Sequence, residues 1–407
     1  MPRLCTHGTS APRPGWTWKP ADRKTAWLCA VLIGVAVLYL IGEFRVSLRP
    51  GGGHPFGDFF AIWSYATIAL GHPAADLYDF AKLHDAQVAL GMPAPDQNPF
   101  PYPPTFLLLI LPLGALPFTV AYIAWMGATL PLYLLAIGAG VRGTLAVASV
   151  ALLAPATTVC LVAGQSGFLL AALLVGGLRL VPFRPVLAGI LFGLLTYKPQ
   201  FGLLVPVALV AAGQWRCIAA SCVTAAVLLL ATSAALGASI WWTWLRAMPA
   251  YASLFDRDMA GNPLMPTVLA NLQAMGIAPG MAWAAQIAAT LAAVAVAWFA
   301  WTRLPHALAV SAVLGATCLA TPHGFIYDLP ILSGAVILFA AHRLQSRASL
   351  TLPEVAVLIL VLAIPLAMTL PDHHAPVSTV AIGAFVALIM IAGQRHPARP
   401  GAGRPPC

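Results

Sequence analysis

"PTFLLLILPLGALPFTVAYIAWMGATLPLYLLAIGAG", residues 104–140, contains no charged side chain. A helix needs about 20 apolar residues to cross a bilayer, so this run is too long for one straight span. Pro112 and Pro117 interrupt its first part, where a continuous helix would lose hydrogen bonds. The run therefore reads as a bent or re-entrant piece, "FLLLILPLGALPF", followed by one full span. Water-soluble domains rarely have an uncharged apolar stretch of this length, and the reading that follows is an all-α polytopic membrane protein.

The rest of the chain repeats the signal. Of its 407 residues, 60% are hydrophobic and only 8% are charged. The mean hydropathy is +0.86, which excludes an ordinary soluble globule. Further spans are expected at 25–44, 144–163, 166–182, 185–197, 200–215, 217–237, 281–302, 306–321, 325–342, 353–371 and 375–393. With 104–140 these make about twelve transmembrane helices, although 185–197 and 200–215 are short for full crossings. The expected organisation is a basic N-terminal tail (1–24), one membrane domain (25–393) and a basic C-terminal tail (394–407). The first span carries no convincing small-residue cleavage site, so it reads as retained rather than as a removed signal peptide.

Charge orients this arrangement. Arg142, Arg179, Arg184, Arg216, Arg303 and Arg343 fall on one side together with both basic tails, and that side reads as cytoplasmic. Acidic residues played no part in the assignment, yet all but Asp22 and Glu354 fall on the opposite side. The net charge of +9 is thus a topological signal and gives no reason to expect nucleic acid as a partner. The expected location is the plasma membrane, the inner membrane in a bacterium, with both termini cytoplasmic and the chemistry on the outer face.

Two long outer segments are expected, at 45–103 and 238–280. The first carries "DFFAIWSYATIALG", too short to span and suited to an interfacial helix ending at Gly71. A second short helix, "DFAKLHDAQVALG", follows it. "NPFPYPP" then closes the segment in extended or turn conformation. The outer segment 238–280 carries the aromatic cluster "WWTWL", placed for the headgroup layer. The seven cysteines sit mostly within apolar runs and read as small buried hydrophobes, not as a disulfide framework. No zinc-ligand spacing, no GxxxxGK(S/T) phosphate loop and no dinucleotide fingerprint is present.

Several polar residues could carry chemistry. Asp58, in "PFGDFF", reads either as a helix cap or as a general base held rigidly at the membrane surface. Lys198, in "TYKPQFG", is the only lysine after residue 82. It reads either as a snorkelling side chain or as a cation for a phosphate. "ATPHGFIYDLP" places His323, Tyr327 and Asp328 at the outer junction of two spans. Tyr327 and Asp328 there would bind a sugar or orient His323. Gln165 in "AGQSG" and Asn262 in "GNPLMP" lie in neutral polar turns that suit structure more than catalysis, and Tyr102 in "YPP" suits an interfacial anchor. Their shared outer location is what makes them one candidate site.

The series "GDFFAIW", "LYDFAKL", "NPFPYPPTFLLLILPLGALPF", "GQSGFLLAALL", "GILFGLLTYKPQFGLL", "NPLMPTVLANL" and "TPHGFIYDLPIL" resembles glycosyltransferase family 87. This family belongs to the polytopic GT-C glycosyltransferases, which include polyprenol-phosphate-mannose-dependent mannosyltransferases. The resemblance spans roughly residues 25–340 and implies a GT-C-type helical bundle. It implies transfer of a sugar, mannose or another hexose or pentose, from a polyprenyl-monophosphate donor to a lipid- or glycan-borne hydroxyl, usually with inversion. It also implies that Asp58 is the general base and that Lys198 and His323 contact donor phosphate or sugar. Arg246 and Arg257 are further cations for a phosphate leaving group. No cofactor or metal is expected. The competing class is a multi-span transporter, but such carriers show repeat symmetry and midplane sites, whereas the polar candidates here gather toward one face.

Overall fold

A computed structural model of the chain describes residues 57–141, 144–258, 260–346, 350–369 and 376–394. The described residues form helices and turns with no strand. The expected span at 25–44 lies outside the described residues. Among the described residues four helices are long and apolar enough to cross a membrane: α4 (Phe118–Gly138), α10 (Trp215–Leu236), α13 (Pro279–Arg303) and α18 (Val377–Gln394). A fifth candidate is broken: α5 (Thr144–Leu153) and α6 (Pro155–Ala163) meet at a 59° bend where Pro155 interrupts the ladder. The other expected spans correspond to shorter apolar helices, so the full count of twelve is not reached on length alone.

The opening stretch folds with the bend its prolines require. Pro103, in an extended conformation, precedes α3 (Pro104–Ile110). A 3-10 turn, Leu111–Ala115, follows, and after Pro117 the chain runs as α4. The turn backs directly onto the helix α1 (Gly57–Gly71), where Trp63 Nε1 donates to Leu116 O at 2.9 Å. Asp58 lies inside the first turn of α1 instead of preceding it as a cap, where the helix N-terminus favours its negative charge. The helix α2 (Phe80–Ala89) is capped by Asp79, whose carboxylate accepts from Ala81 N and Lys82 N.

Three helices form the centre: α7 (Gly167–Leu180), α14 (His306–Ala320) and α15 (Pro330–Gln345) are buried along most of their lengths. Around them stand α4, α8 (Pro185–Leu194), α9 (Val205–Ala211), α10 and α13. Several of these turn large apolar side chains outward, such as Ile123 and Leu135 on α4, Leu230 on α10 and Leu291 on α13. Side chains of that kind, two-thirds exposed along whole helices, need lipid rather than water as solvent. Between α8 and α10 the contact uses Gly189 and Gly193, where an added Cβ would strike Cys217 O and Thr224 Cβ. Small residues four apart let membrane helices approach closely.

The end of α4 is closed from a neighbouring helix. Arg179 on α7 donates to the carbonyls of Ala136, Ile137 and Ala139, the groups left orphaned where α4 stops. The segment 238–280, read as an outer loop with an aromatic patch, contains a 20-residue helix, α11 (Ser239–Asp258). It packs over the segment that carries α2, with Phe80 and Tyr251 ring centroids 4.8 Å apart. A short helix, α12 (Val268–Ala274), leads from there toward α13. The chain continues after α15 through α16 (Leu352–Leu362), α17 (Ile364–Ala367) and α18.

Candidate active site

Lys198 sits at a backbone break. Pro199 follows it and disfavours helix for the residue before, so Lys198 adopts φ −135° and ψ 66° between the 3-10 turns Leu195–Tyr197 and Pro199–Gly202. The break aims the ammonium inward, where Nζ donates to Asp328 Oδ1 at 2.6 Å. The two side chains are 5% and 4% exposed, so the pair is buried. Asp328 closes a 3-10 turn, Ile326–Asp328, and its Oδ2 accepts from Phe325 N at 3.3 Å. The ammonium also stands 5.3 Å from the Tyr327 ring centroid and 6.0 Å from that of Phe201. A buried pair of this kind persists only when further hydrogen bonds and polarisable surfaces compensate the lost hydration.

The "GQSG" turn joins this pair to α1. Gly164 ends α6 with φ +66°, and an added Cβ would strike Phe59, the residue after Asp58. Three residues on, a Cβ at Gly167 would strike Tyr327 O. One tight turn therefore contacts both the start of α1 and the turn that carries Asp328. Gln165 and Ser166 between them are buried, and Ser166 O accepts from Tyr197 Oη at 3.3 Å.

Tyr102 completes the enclosure. Its ring packs on Phe106 at 4.4 Å and its carbonyl accepts from Tyr78 Oη at 3.0 Å. Burial, followed by the charges around it, keeps the Tyr102 phenol above its ordinary pKa; Lys198 opposes the shift, while Asp328 and Asp58 reinforce it. Asp58 also interacts electrostatically with Tyr65 and Tyr327. The carboxylate of Asp58 itself is exposed. One region thus holds an exposed acid, a neutral phenol and a buried ammonium–carboxylate pair.

Not every expected residue joins that region in the same way. His323 lies half-buried against Trp283 of α13, ring centroids 6.1 Å apart, while Asp328 pairs with Lys198. Asn262 has a turn role: its Oδ1 accepts from Leu264 N at 2.8 Å, while Leu264 O accepts from Ile326 N at 3.0 Å. Asn262 is thus linked through Leu264 to the backbone beside Tyr327. Arg246 is spread over the Trp242 ring at 5.1 Å, and the side chain of Arg257 lies outside the described residues.

The sequence reading missed the residues that hold the site's walls. Tyr65 Oη donates to Pro99 O at 2.7 Å, and Gln87 Nε2 donates to Ser64 Oγ at 3.0 Å and Asn98 O at 3.2 Å. These bonds fasten "NPFPYPP" to α1. On the far side Gln286 accepts from Leu269 N at 3.1 Å and donates to Leu319 O at 3.0 Å, fixing the end of α14 before His323. For Tyr65 and Gln286 the signal was a polar side chain inside an otherwise apolar helix, whereas Gln87 sits in the polar helix α2 and carried no such signal.

Long lipid-facing helices around a buried polar cluster define a helical membrane protein with a built site. The family model for glycosyltransferase family 87 matches residues 100–322, more than half of the chain, and the chain belongs to that family. The matched residues include Tyr102, Gln165, Lys198 and Asn262, whereas Asp58, His323, Tyr327 and Asp328 lie outside them. No curated protein and no solved structure matches the chain.

Proposed function

We propose that this chain moves a sugar from a polyprenyl-monophosphate donor to a lipid- or glycan-borne hydroxyl, with Asp58 as general base. Family membership favours a transferase over a transporter. The observation that carries the finer reading is the "GQSG" turn, which ties the Asp58 end of α1 to the Lys198–Asp328 pair. Asp58 is exposed and held at a helix N-terminus, so an acceptor hydroxyl has access to an oriented carboxylate.

In the proposed step Asp58 takes the acceptor proton as the acceptor oxygen attacks the anomeric carbon. The bond from that carbon to the phosphate oxygen breaks, and polyprenyl phosphate leaves with the electron pair. A single displacement from the opposite face inverts the anomeric centre. In this reading Lys198 would share its charge between Asp328 and the departing phosphate, and the Tyr102 phenol would donate to a sugar oxygen. The step calls for no resident metal or cofactor. His323 would contact donor sugar from the Trp283 side.

The same reading sets the topology. In it the shorter apolar helices complete about twelve crossings in a GT-C-type bundle. Arg179, Arg303 and Arg343 mark the cytoplasmic ends of α7, α13 and α15, and the site faces outward from the plasma membrane. The test is transfer of label from radiolabelled polyprenyl-phosphate sugars in membranes holding wild type or Asp58→Asn at equal abundance. Wild type should transfer and the variant should lose at least a hundredfold in rate. Equal transfer by both would remove Asp58 as the base.

A further inference from the structure

A second cleft opens between α2 and α11, beside "NPFPYPP". Its volume is about 550 Å³, and α2, residues 97–99 and α11 line it. That size falls within the ~300–1,000 Å³ of ordinary small-ligand pockets. Unlike the lipid-facing surfaces of this chain, its lining is mixed: His84, Asp85, Gln87, Gln97 and Asn98 stand among apolar residues, with Phe80 as the aromatic member.

Gln87 gives the cleft its strongest mark. It is only 1% exposed, and its Nε2 is held by Ser64 and Asn98. Its Oε1 is buried with no hydrogen-bond partner among the described residues. A buried amide oxygen without a partner is costly, so its place in a cleft lining points to a ligand donor. The rest of the lining fits the same ligand. Amides, a carboxylate and an imidazole offer both donors and acceptors in fixed planes. Phe80 is 38% exposed and its ring is braced edge-on by Tyr251 at 4.8 Å, which leaves an apolar platform beside the polar groups. Neutral carbohydrate has this combination: hydroxyls that donate and accept around the ring, and a C–H face that stacks on an aromatic ring. No lysine or arginine lines the cleft, and Lys82 on the same helix is held by Asp76 at 2.7 Å, so the cleft offers little to a phosphate or another anion.

We infer that the cleft between α2 and α11 is a glycan-binding subsite that holds sugar units of the acceptor away from the reacting hydroxyl. The inference rests on the transferase reading for the word acceptor, but not for the binding itself. The geometry links the two places. Gln87 reaches Ser64, six residues along α1 from Asp58, a rise of about 9 Å. From the cleft wall at Asn98 and Pro99 the chain runs directly to Tyr102 in the candidate active site. A glycan lying along this wall would present its end toward Asp58.

The test uses the full chain solubilised in mild detergent and an array of neutral oligosaccharides of graded length. Two variants avoid the buried amide: Ser253→Trp, which fills the cleft from an exposed position on α11, and Phe80→Ala, which removes the platform. Wild type should retain at least one set of oligosaccharides, and each variant should retain them at least tenfold more weakly with an unchanged melting temperature. Retention of no glycan by wild type, or equal retention by folded variants, would overturn the subsite. Because the array reads binding and not transfer, loss of the transferase reading through Asp58→Asn would leave this result standing. With a glycan identified, Ser253→Trp should raise KM for the longer acceptor about tenfold and leave kcat unchanged. A matching loss for a one-sugar acceptor would also overturn the proposal.

Discussion

Replacing Lys198 by methionine should destabilise the protein severely, and a second substitution should repair the stability without repairing the activity. Two unit charges 2.6 Å apart attract by about 6 kcal/mol at an effective dielectric near 20. Desolvation of two nearly inaccessible groups cancels most of that gain, so the pair contributes little net stability. Removing one partner is a different matter, because it leaves the other charge buried and uncompensated at a cost of about 3–5 kcal/mol. Lys198→Met should therefore cost that amount, and Asp328→Leu a similar amount. The double variant should lie only about 1 kcal/mol below wild type, the remainder being the lost hydrogen bond from Phe325 N to Asp328 Oδ2. The assay is a double-mutant cycle by equilibrium unfolding in mixed micelles, read alongside sugar transfer. A Lys198→Met variant within 1 kcal/mol of wild type would refute the buried-pair reasoning, as would additive losses in the cycle. A double variant that regained transfer together with stability would show the pair to be scaffold alone.

Other outcomes follow from single contacts. Gly167→Ala places a methyl against Tyr327 O, backbone that cannot move aside cheaply, and should lower both the yield of folded protein and transfer; near-normal transfer would refute the contact. Tyr65→Phe loses the bond to Pro99 O and should cost about 1 kcal/mol, with faster proteolysis between residues 92 and 99 as its measurable sign. Glu354→Gln weakens the pairing with Arg343, whose Nε lies 2.9 Å from the carboxylate, and should lower stability by about 1.5–3 kcal/mol in a thermal melt. A cysteine placed at Asp85 should react with a membrane-impermeant maleimide from outside the cell, and one at Phe183 only after permeabilisation. The reverse pattern would invert the proposed topology.

The division between what was legible in the sequence and what was not follows from the range of the forces involved. Membrane solvation is a local property of composition, since a run such as 217–237 must be helical in lipid wherever the rest of the chain goes. The bend before α4 was legible for the same reason: Pro112 and Pro117 act on their own backbone, and the structure turns there. The helix at 57–71 and the short helix after Asp79 were also carried by local signals. By contrast, the 20-residue helix α11 after residue 238 was legible only as amphipathic periodicity and not as an apolar run, because its apolar face is covered by protein, as where Tyr251 packs on Phe80.

The candidate site divides along the same line. The sequence alone determined which residue types were out of place in an apolar chain, and so singled out Asp58, Lys198 and Asp328. Only the tertiary structure decided that Lys198 and Asp328, 130 residues apart, form one buried pair. It alone turned His323 toward Trp283, gave Asn262 a turn role, and made Gly164 and Gly167 the joint between Asp58 and that pair. The physical reason is that an uncompensated charge in an apolar interior can be recognised from its own surroundings, whereas the partner that compensates it depends on how distant helices pack.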